Sequence, residues 1–198
     1  MKYIITFLAI ILTSGSLVFS QLSPGDKAVD FNLKGVDDKY VSLSDYKEAK
    51  GVVVIFTCNP CPFSKAYEQR IIKLHNRFAP AGYPVVAINP NDVEKSPDDT
   101  MEKMKKRAKE KNFPFPYLKD ESEIFKAYGA TRTPHVFLLG NEGNGKFTVA
   151  FIGALDNNAM DPKAVSEKYA ESAIFALEKG EQPDPDQVKA IGCTIKTK

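Results

Sequence analysis

Two cysteines spaced as Cys58-Asn59-Pro60-Cys61 stand directly after the apolar run Gly51-Val52-Val53-Val54-Ile55-Phe56. A helical pattern follows, in which Tyr67, Ile71, Leu74 and Phe78 recur at spacings of four, three and four. A strand that delivers C-x-x-C into the start of a helix places the first thiol where backbone N–H groups are unpaired and the dipole is positive. A thiolate is stabilised there, so the Cys58 pKa is expected to fall from about 8.5 toward roughly 3.5–7.5. Two intervening residues let the second sulfur reach the first across one turn, and the second thiol then resolves the mixed disulfide formed by the first. The expected chemistry is thiol–disulfide exchange, with Cys58 as nucleophile and Cys61 as resolving thiol. Asn59 and Pro60 tune the pair, Pro60 by stiffening the turn and removing an amide donor.

A zinc site is the competing use of C-x-x-C, but such sites pair the motif with a second one or with matching histidines. The sequence has two isolated histidines and one further cysteine. His75 falls in the Tyr67–Phe78 pattern and reads as a surface residue, and no metal ligand set is expected. Three cysteines leave one over from any intramolecular pair. Cys193 therefore reads either as a small buried residue under the C-terminal segment or as a third thiol that reacts with Cys58, with Cys61 or between chains.

Around this motif the sequence alternates strands and helices. Val29–Leu33 and Tyr40–Leu43 read as two short strands joined by a turn at Gly35-Val36-Asp37-Asp38. The run after Gly51 is β-branched and continuous, as in a strand buried on both faces. Pro84–Ile88 reads as the next strand, and Ser96-Pro97 as the opening of a charged helix. Phe115–Leu118 is a short extended piece and Glu121–Tyr128 a short helix. Strands at His135–Leu139 and Lys146–Ile152 flank a turn rich in Gly and Asn. Asp161-Pro162 is read as capping a last helix that carries Val165, Tyr169, Ala173 and Ala176 on one side. The predicted fold class is α/β, with a central mixed sheet flanked by helices.

The first 20 residues differ in character: Lys2, an apolar run from Ile4 to Leu12, and Val18-Phe19-Ser20 form a signal-peptide pattern. Cleavage after Ser20 would leave one domain over residues 21–198, with no stable membrane anchor, working in a periplasm or outside the cell. The formal net charge of the 198-residue chain is +2, so nothing points to nucleic acid. The run Lys103, Lys105, Lys106, Arg107, Lys109, Lys111 reads as the solvated face of a helix rather than an anionic docking patch.

The second chemical signal is Thr131-Arg132-Thr133-Pro134-His135, ahead of an apolar strand. Together with the C-x-x-C it resembles thioredoxin-like proteins, in which a cis-proline lies against the cysteine pair. The resemblance implies that Pro134 is cis and that the Thr133 backbone hydrogen-bonds a bound substrate chain. The stretches Phe56–Phe63, Lys65-Ala66-Tyr67-Glu68-Gln69-Arg70-Ile71, Ile88-Asn89-Pro90-Asn91-Asp92 and Ile191-Gly192-Cys193-Thr194-Ile195-Lys196 are similar to a bacterial redoxin group (AhpC/TSA-related) with a C-N-x-C-P signature. That resemblance covers residues 24–198 and implies a thioredoxin-like fold with extra N-terminal strands and a central insertion. It further implies no organic cofactor, a protein or small-molecule thiol or disulfide as substrate, and an upstream redox partner. Thioredoxins proper keep a buried acid in the strand beneath the disulfide; Val52–Phe56 is wholly apolar, so that proton relay has no counterpart there.

Two rival functions fit the motifs less well. Peroxiredoxins carry Thr or Ser three residues before the reactive Cys and Pro seven before it; here those positions are Ile55 and Gly51. Thioredoxin-like copper chaperones use C-x-x-x-C with a distant His. His135 stands beside the expected cis-proline, but the cysteine spacing is one residue short.

Overall fold

The structure is a computed structural model that describes residues 21–197. The leader read at residues 1–20 lies outside the described residues. The elements in chain order are β1 (Asn32–Gly35), β2 (Tyr40–Ser42), β3 (Gly51–Phe56), α1 (Pro62–Phe78), β4 (Val85–Asn89) and α2 (Met101–Lys111). They continue with β5 (Tyr117–Lys119), α3 (Ile124–Tyr128), β6 (Arg132–Thr133), β7 (His135–Asn141), β8 (Phe147–Gly153), α4 (Tyr169–Glu178) and β9 (Cys193–Thr194).

A seven-stranded sheet has the order β2-β1-β5-β4-β3-β7-β8. Its centre is parallel, β3 with β4 and β4 with β5; β7 runs antiparallel to β3, and β1 antiparallel to β5. Every residue of β3 is buried, as its unbroken apolar run requires of a strand covered on both faces. The period-2 pleat sends Val53 and Ile55 to one face and Val52, Val54 and Phe56 to the other. The first face packs on Tyr67, Ile71, Leu74 and Phe78 of α1, Met104 of α2, and Ala173 and Ile174 of α4. The second packs on Phe31, Leu33, Leu43, Phe125 and Tyr128. Helices thus flank a central mixed sheet on both faces, which is the thioredoxin-like architecture. The hairpin β1–β2 extends the sheet edge, and α2 lies within the long connection from β4 to β5.

Two helix starts differ from the sequence reading. Ser96-Pro97 opens only a short 3-10 turn, Pro97–Asp99, and α2 begins afterwards, where the Thr100 hydroxyl accepts from the Lys103 amide. Asp161-Pro162 likewise opens a single turn, Pro162–Ala164, and α4 starts at Tyr169, leaving Val165 outside it. In both places Pro fixes one helical turn, and an extended residue ends it, Thr100 in the first and Val165 in the second. Among the described residues, no helix is long and apolar enough to cross a membrane.

Candidate active site

Strand β3 ends at Phe56, and the chain then runs through Thr57, Cys58, Asn59 and Pro60 to Cys61, which caps α1 with Pro62 as its first residue. Cys58 therefore lies ahead of the first helical turn rather than in it. Its thiol is buried, with 4% of the residue exposed. Burial pushes that thiol above its ordinary value, and the charge of Asp99 pushes the same way. The Thr133 hydroxyl, the Cys61 backbone and the Ser64 hydroxyl pull it back. The lowered pKa expected from a helix N-terminus is thus corrected: desolvation outweighs the donors that face the sulfur.

The structure joins Cys61 to Cys193, residues 132 apart in sequence with Cα atoms 6.1 Å apart, and leaves Cys58 as a free thiol. The disulfide present is therefore not the Cys58–Cys61 pair but one from the C-terminal segment to the second cysteine of the motif. Cys193 is half-buried and so is not the enclosed residue that one reading made it.

Thr133 is the hub of this arrangement and is fully buried. Its Oγ1 lies 3.1 Å from the Cys58 sulfur. Its carbonyl oxygen lies 3.2 Å from the Cys61 sulfur. A sulfur committed to a disulfide has no hydrogen to donate, so the second contact becomes a hydrogen bond only when Cys61 is reduced. The Thr133–Pro134 peptide bond is cis. β9 pairs antiparallel with β6, setting Cys193 opposite Thr133 and Thr194 opposite Arg132, so the β6 edge that the resemblance gave to a substrate chain is occupied by the chain itself.

Asn59 is held by a buried polar network that the sequence did not reveal. Its backbone N–H donates to Asp99 Oδ1 at 2.8 Å, its Nδ2 donates to the Asp98 carbonyl at 2.8 Å, and its Oδ1 accepts from the Tyr117 hydroxyl at 3.0 Å. Asp99 also accepts from Asn89 Nδ2 at 2.7 Å, Asn91 Nδ2 at 2.8 Å and the Ser96 hydroxyl at 2.6 Å. Asn91 Oδ1 in turn accepts the Lys196 amide at 2.8 Å. The motif loop, the Asn89-Pro90-Asn91 turn after β4 and the C-terminal segment are thereby one hydrogen-bonded unit. A buried acid, Asp99, does stand near the cysteines, then, but it comes from the 3-10 turn Pro97–Asp99 and not from β3. Ser96-Pro97-Asp98-Asp99 was the available signal, but read as the opening of a charged helix it gave Asp99 no part in the site.

Both histidines are more buried than expected. His75 is half-buried, and its Nδ1 accepts from the Val85 amide at 3.2 Å, so it fastens α1 to β4 instead of facing water. His135 is buried beside Phe137, with ring centroids 4.7 Å apart, and its Nδ1 accepts from the Thr131 amide at 3.4 Å. Burial pushes its imidazole down to about 4. Among the described residues, no three or more His, Cys, Asp or Glu side chains converge as metal ligands. Most of the basic run on α2 is solvated, but Lys103, Lys106 and Arg107 line a shallow hollow with Asn59 and Pro60. Each of these three is already paired, with Asp98, Glu110 and Glu68 respectively.

The whole fold has close structural relatives. A protein from Geobacillus kaustophilus, described as an uncharacterized conserved protein, superimposes with a TM-score of 0.82 at 37% identity, covering 89% of this chain and 93% of that one. A Chlorobium tepidum protein described as thiol:disulfide interchange protein DsbE gives a TM-score of 0.54 at 26% identity, covering 65% of this chain and 84% of that one. A Mycobacterium tuberculosis protein described as a peroxiredoxin is 30% identical over 112 residues; the match covers 56% of this chain and 66% of the relative, just under two thirds of its length. The model of the AhpC/TSA family matches residues 24–147. With a mixed sheet flanked by helices, a cysteine motif at the end of β3 and this family match, the chain belongs to the AhpC/TSA family of thioredoxin-like redoxins.

Proposed function

We propose that this chain is an exported thiol–disulfide oxidoreductase in which Cys58 is the attacking thiol and Cys61 its resolving partner. The observation that carries the reading is the free Cys58 thiol set beside a disulfide-forming Cys61, with both sulfurs against Thr133. The Cys58 thiolate attacks one sulfur of a substrate disulfide, forming a mixed disulfide and expelling the other sulfur as a thiolate. The Cys61 thiolate then attacks the Cys58 sulfur, releasing the second substrate thiol and leaving a Cys58–Cys61 disulfide. Thr133 supplies a hydroxyl to the Cys58 sulfur, and Thr133-Pro134 offers a backbone edge to a protein or small-molecule substrate when β9 is displaced from it. Asn59 and Pro60 shape the loop between the sulfurs. The cysteines carry the electrons, so no further cofactor is required, and an upstream redox partner resets them. The leader pattern at residues 1–20 supports work in a periplasm or outside the cell.

Peroxide reduction is the weaker reading, although a peroxiredoxin relative and the family membership favour it. Ile55 is buried in the core where a peroxide-activating hydroxyl would stand. The deciding measurement is the rate at which reduced protein consumes oxidised glutathione and hydrogen peroxide, for wild type and Cys58→Ser. Disulfide consumption faster than peroxide consumption, lost on Cys58→Ser, is the expected result. A Cys58→Ser variant that exchanges disulfides at the wild-type rate would overturn it, as would peroxide turnover that outpaces exchange.

A further inference from the structure

Cys193 is brought to the cysteine motif by more than its bond to Cys61. Strand β9 lies on β6 with Cys193 opposite Thr133, the residue that contacts the Cys58 and Cys61 sulfurs. A Cβ on Gly192 would sit 2.7 Å from the Thr133 carbonyl carbon and clash with its oxygen, so only glycine lets the strand lie this close. Beyond the cysteine, Ile195 is buried and its amide donates to the Thr131 carbonyl at 3.3 Å. Lys196 donates its amide to Asn91 and accepts from the Asp92 amide at 2.7 Å. The tail is docked on the edge where a substrate strand would pair. It carries a half-buried cysteine, more exposed as a residue than the buried Cys58.

We propose that Cys193 is a third redox-active cysteine, and that β9 is a built-in substrate strand through which the disulfide passes between the buried motif and the surface. This rests on the exchange reading of Cys58 and Cys61 given above. In the internal step the Cys193 thiolate attacks Cys61 of a Cys58–Cys61 disulfide. The Cys61–Cys193 bond forms, the Cys58–Cys61 bond breaks, and Cys58 leaves as a thiolate; the oxidation level of the protein is unchanged. The structure corresponds to the product of that step, with Cys58 free again. An external thiol then attacks Cys193, expels Cys61 as a thiolate and forms a mixed disulfide, which a second thiol resolves to its own disulfide and a free Cys193. Both substrate thiols have left before the internal step, so the order is capture at Cys58, resolution by Cys61 and export through Cys193.

The test is a quenched time course. Fully reduced protein is mixed with one equivalent of oxidised glutathione, quenched with acid, alkylated and mapped for disulfides. In wild type the Cys58–Cys61 bond is expected first, giving way to Cys61–Cys193 with Cys58 alkylated. Gly192→Ala keeps all three thiols but lifts the strand, so it should form Cys58–Cys61 at the wild-type rate and convert to Cys61–Cys193 at least tenfold more slowly. Cys193→Ser should stop at Cys58–Cys61. If Cys193 stays alkylated throughout in wild type while Cys58–Cys61 forms, the relay fails and the two-cysteine exchange stands. If Cys61–Cys193 forms equally fast in Cys58→Ser, the bond is a structural one made without Cys58, and both readings fall.

Discussion

Asp99 is fully buried among Asn89, Asn91, Ser96 and the Asn59 amide, and its charge is felt at the Cys58 sulfur. Asp99→Asn removes that charge and should lower the Cys58 pKa, giving several-fold faster alkylation by iodoacetamide at neutral pH. An amide cannot accept all four hydrogen bonds, so the same variant should lose about 1–3 kcal/mol of stability in urea. An unchanged alkylation rate would reduce Asp99 to a purely structural part. His135 gives a second residue-scale expectation. Its folded pKa is depressed to about 4 from 6.5, so above 6.5 the ring is neutral in both states and its contribution is complete. As pH falls from 6.5 through 4, the unfolded chain takes up a proton that the folded ring refuses, and stability is lost by about 3 kcal/mol in all. Urea midpoints across that window should fall less steeply in His135→Asn than in wild type.

At the scale of elements, the helix that follows the cysteines is anchored by three residues, two of which meet at Asp156 while the third reaches α2. Tyr67 donates to Asp156 Oδ1 at 3.0 Å; Arg70 donates to Asp156 Oδ2 at 2.6 Å and to the Asn158 carbonyl at 2.7 Å, its guanidinium 3.9 Å from the Tyr67 ring centroid. Glu68 accepts from Arg107 at 2.6 Å and ties α1 to α2. These contacts give a physical reason for the Tyr67-Glu68-Gln69-Arg70 stretch: it holds the helix, and with it Cys61, against the loop after β8 and against α2. Arg70→Ala leaves the Asp156 carboxylate buried without its partner and should cost about 3–5 kcal/mol. Thermal or urea unfolding of Arg70→Ala beside Arg70→Lys measures this, and the lysine should recover only part because it cannot fork between Asp156 and the Asn158 and Ala159 carbonyls.

For the whole molecule, the Cys61–Cys193 bond closes a loop that contains β4, β5, β7 and β8 of the main sheet, with a sequence separation of 132. In the chain-entropy account such a loop stabilises the fold by about 5 kcal/mol. Reduction with dithiothreitol should therefore lower the urea midpoint markedly, and Cys193→Ser in reductant should match reduced wild type. A midpoint that does not move on reduction would show that the tail is held by β9 pairing and the Asn91 contacts alone.

What the sequence by itself determined is the local physics. An unbroken β-branched run made β3 a strand buried on both faces, the Tyr67–Phe78 spacing made α1, and the alternation of elements made a mixed sheet flanked by helices. The cysteine motif and Thr133-Pro134 were legible for the same reason, since each is a short stretch with its own turn chemistry. The tertiary structure alone decided which cysteine Cys61 bonds, which acid lies near the sulfurs, and whether Cys58 gains more from hydrogen-bond donors than it loses by burial. Those answers depend on segments far apart in the chain (Asn59 with Asp99, Asn91 with Lys196, Thr133 with Cys193), and no local spacing records the distance between them.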